Sequence, residues 1–586
     1  MKSIDPITLE VHWNSMISIV DEMSIALMKS AYSESVRESL DFSCGIFDSS
    51  GNMIAQSDRM GTPAHLGTMP KAVKTLLERY NVQEIHPGDV FALNDPYVGA
   101  GHIPDLVVIT PAFFAGKLVA FACNIAHLPD MGGRGPGGSA ADSHEIYEEG
   151  LFIPLVKLYR RNSENKEILD MIRANVRIPE RVIGDIQAQV AANRLSASRM
   201  REFIAKYESG DLDRLANAII KTSEDATRES IKKIPEGTYK SEDKFEDLDQ
   251  DLTLKCAITI RDGRIHVDYS GSAPQSKWAV NSVLNFTFAY SFHALKCIIN
   301  PNIPSNEGCM RPISLTAVEG SVFNPRPPAA LGARHLLVPH INWLIFSALS
   351  SALPDKVVAC TGHGGNLARL YGMDPRTKDR FIAVMLNPGG TGARPHKDGV
   401  NCMTFPQMTQ NQPVEVLENV APVMVKRREI RTDSGGPGKY RGGNGQVFEI
   451  MLLTNGPCTL LLAGDRRRNP PQGLFGGKFG APSSAKVTRN NELIELHPKK
   501  LAGLLPGDIV TIEQSGGGGY GDPLERDLQL VLEDLVEGYV TPRGAYDEYG
   551  VVFNEKAGTI DAVASDHLRK KRRQGLTKKG NMTSDN

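Results

Sequence analysis

The stretch Gly101–Asp130, GHIPDLVVITPAFFAGKLVAFACNIAHLPD, decides how the front of this chain folds. Leu106–Thr110 and Leu118–Ile125 are β-rich runs, and Pro111–Lys117 between them carries a glycine at 116. Apolar and β-branched runs flanking a glycine turn read as an antiparallel hairpin. With Ala115-Gly116 at the turn, position 127 lies opposite positions 102–105. His102 and Asp105 then enter the first strand at the end where His127 leaves the second. Facing residues in such a ladder are about 5 Å apart at Cα, so two imidazoles and a carboxylate can converge on one divalent ion.

The tetrapeptide His-(Ile/Leu)-Pro-Asp stands at both ends of this hairpin, at 102–105 and 127–130. Proline fixes its own φ and pushes the preceding residue toward extended geometry, which sets His and Asp in a defined relation. The competing reading is an ordinary turn, where aspartate before a strand is common. Asp41 precedes a further short strand, Phe42–Phe47, and is either a fourth, anionic ligand or a turn cap. His65, in PAHLG, and the pair His144-Glu145, in DSHEIYEEG, are further polar candidates.

Outward from the hairpin, Pro6–Tyr32 has the broad apolar face of a long helix. Phe42–Phe47, Asp48-Ser-Ser-Gly51 and Met53-Ile-Ala form a second hairpin signal. Helical patterning fills 165–233, strands follow at Leu252–Ile260 and Arg264–Tyr269, and helices at Asn281–Ile299 and Leu336–Leu353. A β-rich region is expected to open at Glu415–Val425 and run to about Gln514. The tail from Leu524 is helical and charged, and its basic run Arg569–Arg573 reads as a solvated end. The fold class is therefore α+β and multidomain, with mixed β-sheets, helical insertions and the candidate metal site at the end of a hairpin. The expected divisions are 1–235, carrying that site; 236–414, central α/β; 415–525, β-rich; and 526–586, a helical, partly disordered tail.

A chain of 586 residues with 41% hydrophobic and 23% charged residues has the composition of an ordinary globular protein. Its net charge of −2 gives no global field toward nucleic acid or an anionic membrane. The N-terminus has no apolar signal run, and Leu336–Leu353, with Pro339, His340 and Asn342, reads as a buried helix. Eight scattered cysteines, with no Cys-x-x-Cys pair, argue against a zinc ribbon or a disulfide scaffold and suit a reducing cytoplasm. No Gly-x4-Gly-Lys-Ser/Thr phosphate loop occurs. Gly516–Gly521 satisfies Gly-x-Gly-x-x-Gly, but Asp522-Pro523 follows and no βαβ unit closes, so it reads as a tight glycine turn.

The runs ALNDPYVGAGHIPDLVVITP, NIAHLPDMGG and HEIYEEGLFIPLVKL resemble the hydantoinase B/oxoprolinase family. NPGGTGARPHKDG (387–399), DSGGPGKYRGGNG (433–445) and SGGGGYGDP (515–523) resemble that family's later motifs, so the likeness covers roughly 5–525. It implies one part of an ATP-dependent enzyme that opens hydantoins, 5-oxoproline or other lactams. A hydantoinase A-type ATPase subunit would bind ATP and Mg and phosphorylate the substrate, and a heterotetramer is the expected assembly. It also implies one divalent metal held by Asp41, His102, Asp105 and His127. Zn is the first choice, though Mn and Fe suit the same donors. Asp130 then orients an imidazole or a water, or is structural. His65, His144 and Glu145 join it as candidates for proton transfer or substrate orientation. Arg394 either binds an anionic group or makes a structural salt bridge. Two other readings stay open: one component of a ketone carboxylase, and a non-catalytic scaffold that closes the partner's site.

Overall fold

The computed structural model describes residues 4–57, 60–62, 65, 67–99, 101–138, 140–207, 212–362, 366–403 and 405–580. The central hairpin forms as its sequence dictates and runs further than its apolar core. Seven strands make the first sheet: β1 (Phe42–Asp48), β2 (Met53–Gln56), β3 (Val90–Leu93), β4 (Asp105–Phe114), β5 (Lys117–His127), β6 (Val156–Arg160) and β7 (Ser163–Glu164). Their spatial order is β2-β1-β5-β4-β3-β6-β7. Ala115 (φ 48) and Gly116 (φ 77) are both left-handed, the backbone of a two-residue type I′ turn that matches strand twist. Phe114 pairs with Lys117, and an irregularity between Ala112 and Phe113 shifts the rest of the ladder by one residue. That shift brings Asp105 directly opposite His127.

Both faces of this sheet are covered. Ala120, Ala122 and Ala126 of β5 face the long helices Pro6–Ser30 and Pro179–Lys206, whose Ala188 and Ala192 join the same apolar cluster. Small side chains on both partners let helix and sheet approach closely. Phe121, Cys123 and Ile125 point the other way, into the main core. Between the alanines, Asn124 is buried and donates through Nδ2 to the Gln189 carbonyl and Asn193 Oδ1, each at 2.9 Å. Gln189 and Asn193 in turn donate to the β4 carbonyls of Leu106 and Val108 at 2.9 and 2.8 Å. These polar ties fix the position of the helix along the hairpin, which apolar contact alone leaves free to slide.

Three more large sheets follow. One has four strands, with Gly237–Glu246, Asp251–Arg261 and Arg264–Asp268 antiparallel and Ile313–Thr316 added in parallel. A second orders Arg380–Asn387, Asn366–Met373, Cys458–Ala463 and Leu501–Leu504, and a third of five strands is centred on Gln446–Leu452 and Ile509–Glu513. These last two pack face to face around Leu370, Phe448, Leu460 and Val510. The chain is thus an α+β assembly of several mixed sheets with inserted helices. Leu336–Leu353 contributes the buried helix Val338–Ala348, and no described helix is long and apolar enough to cross a membrane.

Three expectations are corrected. Glu415–Val420 is helical, within Val414–Val420, and β structure begins earlier, at Asn366. The basic run Arg569–Arg573 lies in helix Ala562–Gly580 and is tied down. Arg569 Nε donates to the Tyr549 carbonyl (2.9 Å), Arg572 to Asp547 (2.7 Å) and Arg573 to Leu524 (3.1 Å). Residues 581–586 lie outside the described residues.

The third correction concerns Gly516–Gly519, which is extended rather than turned; only Gly521 (φ 73) is left-handed in that run. Gly517 N donates to Gly443 (2.9 Å), Gly518 N to Cys360 (2.7 Å) and Gly519 N to Lys478 (3.0 Å), so successive residues bond to three different neighbouring segments. A polyproline-II backbone has three residues per turn and no internal hydrogen bonds, which produces this fan of outward bonds. A Cβ on Gly517 would stand 2.0 Å from the Thr391 carbonyl oxygen, and one on Gly518 2.0 Å from that of Gln472. The three glycine-rich motifs are therefore one packed bundle in which side chains have no room.

Candidate active site

The open end of the β4–β5 hairpin faces a cavity of about 70 Å³. Its wall includes Asp41, His65, His102, Asp105, His127, Tyr290, Arg334 and Arg369. Asp105 stands at its centre, only 2% exposed. Its Oδ1 lies 2.7 Å from His127 Nδ1 and 2.8 Å from His102 Nε2, and its Oδ2 accepts from Arg334 Nη2 at 2.6 Å. Asp41, the residue before β1, lies beside this group, because the His127 N–H donates to its carbonyl at 3.0 Å. Asp41 Oδ2 lies 4.0 Å from His127 Nδ1, and Thr62 Oγ1 donates to its Oδ1 at 3.2 Å. His65 Nε2 is 3.9 Å from Asp105 Oδ2.

Burial and neighbouring charges set the protonation of these groups. Burial, then the Arg334 guanidinium, push His102 down to about 3, so its imidazole is neutral at pH 7. Its Nδ1 donates to the Gly332 carbonyl at 3.3 Å, which leaves the lone pair on Nε2. That Nε2 is buried and, though close to Asp105, makes no aligned hydrogen bond. Burial disfavours charge on Asp105, but His102, which is charged only at the low pH where Asp105 titrates, and Arg334 outweigh it and hold the carboxyl well below its usual range. Burial likewise lowers His65. His102, Asp105 and His127 offer three donor atoms within 4.8 Å of one another. Two imidazoles and a carboxylate, one nitrogen without a partner, fit a divalent cation.

Residues 5–523 match the family described as hydantoinase B/oxoprolinase. The chain belongs to this family. It is 32% identical to the B-type subunit of a putative D-/L-hydantoinase from a Pseudomonas species, over 97% of this chain and 99% of that one. It is 30% identical to the beta subunit of the caprolactamase of Pseudomonas jessenii, over 96% and 99%. The crystal structure of the ATP-dependent caprolactamase from that organism superposes with a TM-score of 0.89 at 27% identity, covering 97% of this chain and all of its counterpart. Nucleotide-free acetone carboxylase shares the fold, with a TM-score of 0.89 at 21% identity over 98% of this chain and 84% of that one.

The residues expected from this family member's sequence divide by place. Asp41, His65, His102, Asp105 and His127 share the cavity wall. Asp130 does not. Its carboxylate accepts from Arg177 through both backbone (2.5 Å) and side chain (2.8 Å), and from the backbone of Gly132 and Gly137 at 3.3 Å. The second copy of the tetrapeptide thus uses its aspartate to shape the glycine loop 131–138. His144 is exposed and lies tilted against Trp278 with ring centroids 4.4 Å apart, and Glu145 is exposed and pairs with Ala329 in an isolated β-bridge. Arg394 is half-buried and donates to the Asp398 carbonyl at 2.6 Å, away from the cavity.

Three residues here were not anticipated. Arg334 comes from the turn before helix Val338–Ala348 and grips Asp105. Arg369 comes from strand Asn366–Met373. It is 0% exposed, and its Nη2 donates to His127 Nε2 at 2.6 Å and its Nη1 to the Gly137 carbonyl at 2.9 Å. A lone arginine in the apolar run of that strand was a legible signal. The third is Glu149, 1% exposed, four residues beyond the acid singled out in the same motif. Burial pushes its carboxyl up to about 8, against two backbone N–H bonds that favour its charge.

This shift predicts a pH dependence. Between the ordinary glutamate range and about 8 the folded chain keeps a proton that the unfolded chain releases. The group's contribution to stability is therefore full below its unfolded pKa and lost as pH rises through its folded one. Glu149→Gln removes the titration, so its melting temperature should fall less than that of the wild type between about pH 5 and 8. Parallel curves would contradict the assignment.

Proposed function

We propose that this chain is the B-type subunit of an ATP-dependent amidohydrolase that opens a cyclic amide: a hydantoin, 5-oxoproline or another lactam. The observation that carries this reading is the gathering of His102, Asp105 and His127 in one cavity, in a chain matched across 5–523 to this family. The relatives named as hydantoinase and caprolactamase subunits support the cyclic-amide substrate and the existence of a partner. With no phosphate-loop motif here, the phosphorylation of the substrate carbonyl is assigned to an A-type ATPase partner, which binds ATP and Mg in a heterotetramer.

Asp41, His102, Asp105 and His127 would hold a divalent ion, Zn first and Mn or Fe as alternatives. When bound, that ion supplies Lewis acidity to polarise the reacting carbon and acidify water. The remaining work falls to the chain's own groups. Arg334 fixes the rotamer of Asp105, and Arg369 that of His127. His65, buried and neutral, is the cavity group placed to take or return a proton. Val384 and Leu386 form the apolar part of the wall and limit water. Asp130 acts at a distance, through the loop whose Gly137 carbonyl holds Arg369.

The test reconstitutes the full chain with its A-type partner and measures product per ATP for hydantoin, 5-oxoproline and caprolactam. The isolated chain should show no lactam-stimulated ATP turnover and the mixture should show it. Turnover by the isolated chain would contradict the division of labour. The fold shared with acetone carboxylase makes a ketone-carboxylase component the second reading. Acetone- and bicarbonate-dependent ATP turnover without lactam opening would select it. Full activity after loss of the metal ligands would select a scaffold role.

A further inference from the structure

We infer that Glu149 is a positioning residue that clamps the 331–334 segment against the candidate metal ligands; the inference rests on the reading that His102 and Asp105 hold the ion. Glu149 Oε1 accepts two backbone hydrogen bonds, from Leu331 N at 2.6 Å and Gly332 N at 2.7 Å. The same short segment then turns two groups toward the site. The Gly332 carbonyl accepts a hydrogen bond from His102 Nδ1, and Arg334 Nη2 donates to Asp105 Oδ2 at 2.6 Å. One carboxyl group therefore sets both the tautomer of one ligand and the rotamer of another.

Glu149 is itself anchored on the other side. Its N–H donates to the Ile146 carbonyl at 3.0 Å, and its neighbour Leu151 donates to Met131 at 2.8 Å. A Cβ on Gly138 would stand 2.4 Å from the Glu149 carbonyl oxygen, so the glycine loop lies directly against it. Glu149 thus joins the loop that follows His127 to the segment behind His102. Its Oε2 is buried without a hydrogen-bond partner. A protonated carboxyl there is isosteric with a glutamine amide, which keeps the acceptor facing both N–H groups. Alanine leaves those two buried donors unpaired, the costly half of a lost hydrogen bond.

The experiment compares Glu149→Ala, Glu149→Gln and wild type as full chains, with two readouts. The first is Co²⁺ affinity and the visible spectrum of the Co²⁺ form. The second is hydrogen exchange at the Leu331 and Gly332 amides. Glu149→Ala should weaken Co²⁺ binding by about 10–100-fold, the usual effect of losing a group that orients a ligand, with an altered spectrum. Its Leu331 and Gly332 amides should exchange faster. Glu149→Gln should restore affinity, spectrum and protection. If wild type binds no Co²⁺, the metal reading fails, and the exchange data still decide whether the clamp exists. Unchanged exchange and affinity in Glu149→Ala, or equal loss in Glu149→Gln, overturns the inference. Should Glu149→Ala not fold, Glu149→Met, which fills the volume without an acceptor, carries the same expectation.

Discussion

Asp105→Ala should abolish ring opening and empty the candidate metal site while the partner's ATP hydrolysis continues, uncoupled. Asp105 touches both imidazoles and Arg334 at 2.6–2.8 Å, so among the described residues it joins the two histidines to the arginine. Its removal also deprives the Arg334 guanidinium, only 3% exposed, of this counter-charge. Breaking one partner of such a buried pair costs about 3–5 kcal/mol. The melting temperature should fall with the activity, and Asp105→Asn, which keeps the shape, separates charge from packing. Because the folded carboxyl is depressed, its stabilisation is present above the ordinary aspartate pKa and lost as pH falls through the lower, folded one. The Asp105→Asn chain should lack that part of the acid transition. Asp130→Ala offers the contrast: the ion stays, with affinity or activity down by about 10–100-fold. Metal content and product per ATP, measured side by side, would reverse the assignment if Asp130→Ala empties the site and Asp105→Ala keeps it full.

Gly390→Ala should be nearly as damaging without touching the cavity. A Cβ there would stand 1.7 Å from the Gly443 carbonyl oxygen and 2.2 Å from its carbon. Gly443 cannot withdraw freely, since its N–H is bonded to the Thr391 carbonyl at 2.8 Å. Ordinary overpacking costs about 1–3 kcal/mol by shifting side chains, and a clash with hydrogen-bonded backbone on both partners should exceed that. The Gly362 N–H donates to the Gly390 carbonyl at 2.9 Å and closes the base of the hairpin 366–387, so Arg369 should move as well. Gly503→Ala is the control, because nothing lies within 4 Å of its Cβ. The measurement is denaturant midpoint for both chains. A Gly390→Ala chain as stable as Gly503→Ala would refute the packed glycine bundle.

Much of this was legible in the residues. The central hairpin, its turn at Ala115-Gly116 and the convergence of His102, Asp105 and His127 follow from two apolar runs, a glycine and a repeated tetrapeptide. The long helices and the hairpin after Phe42 follow from periodicity. Local geometry governs each of these, and local geometry is written in consecutive residues.

Asp41 marks the limit. The residues named it, but only the pairing of β1 with β5 places it beside His127, and strand order depends on contacts between segments some 80 residues apart. The glycine motifs show the same limit differently. Gly-x-Gly-x-x-Gly permits a tight turn and an extended strand alike, and the choice was made by neighbouring backbones that exclude a Cβ. Arg369 stood out as a lone arginine in an apolar run, but its role and those of Arg334 and Glu149 could not be read, since each takes its meaning from a partner far along the chain. By itself, then, the sequence determined the hairpin, the convergence of His102, Asp105 and His127 and the family likeness, because those rest on short-range sterics and spacing. The tertiary structure alone decided how Asp41 comes to the cavity, which arginines hold Asp105 and His127 and where the glycines pack. Burying a charge or a backbone requires a specific distant partner, and only the folded chain supplies it.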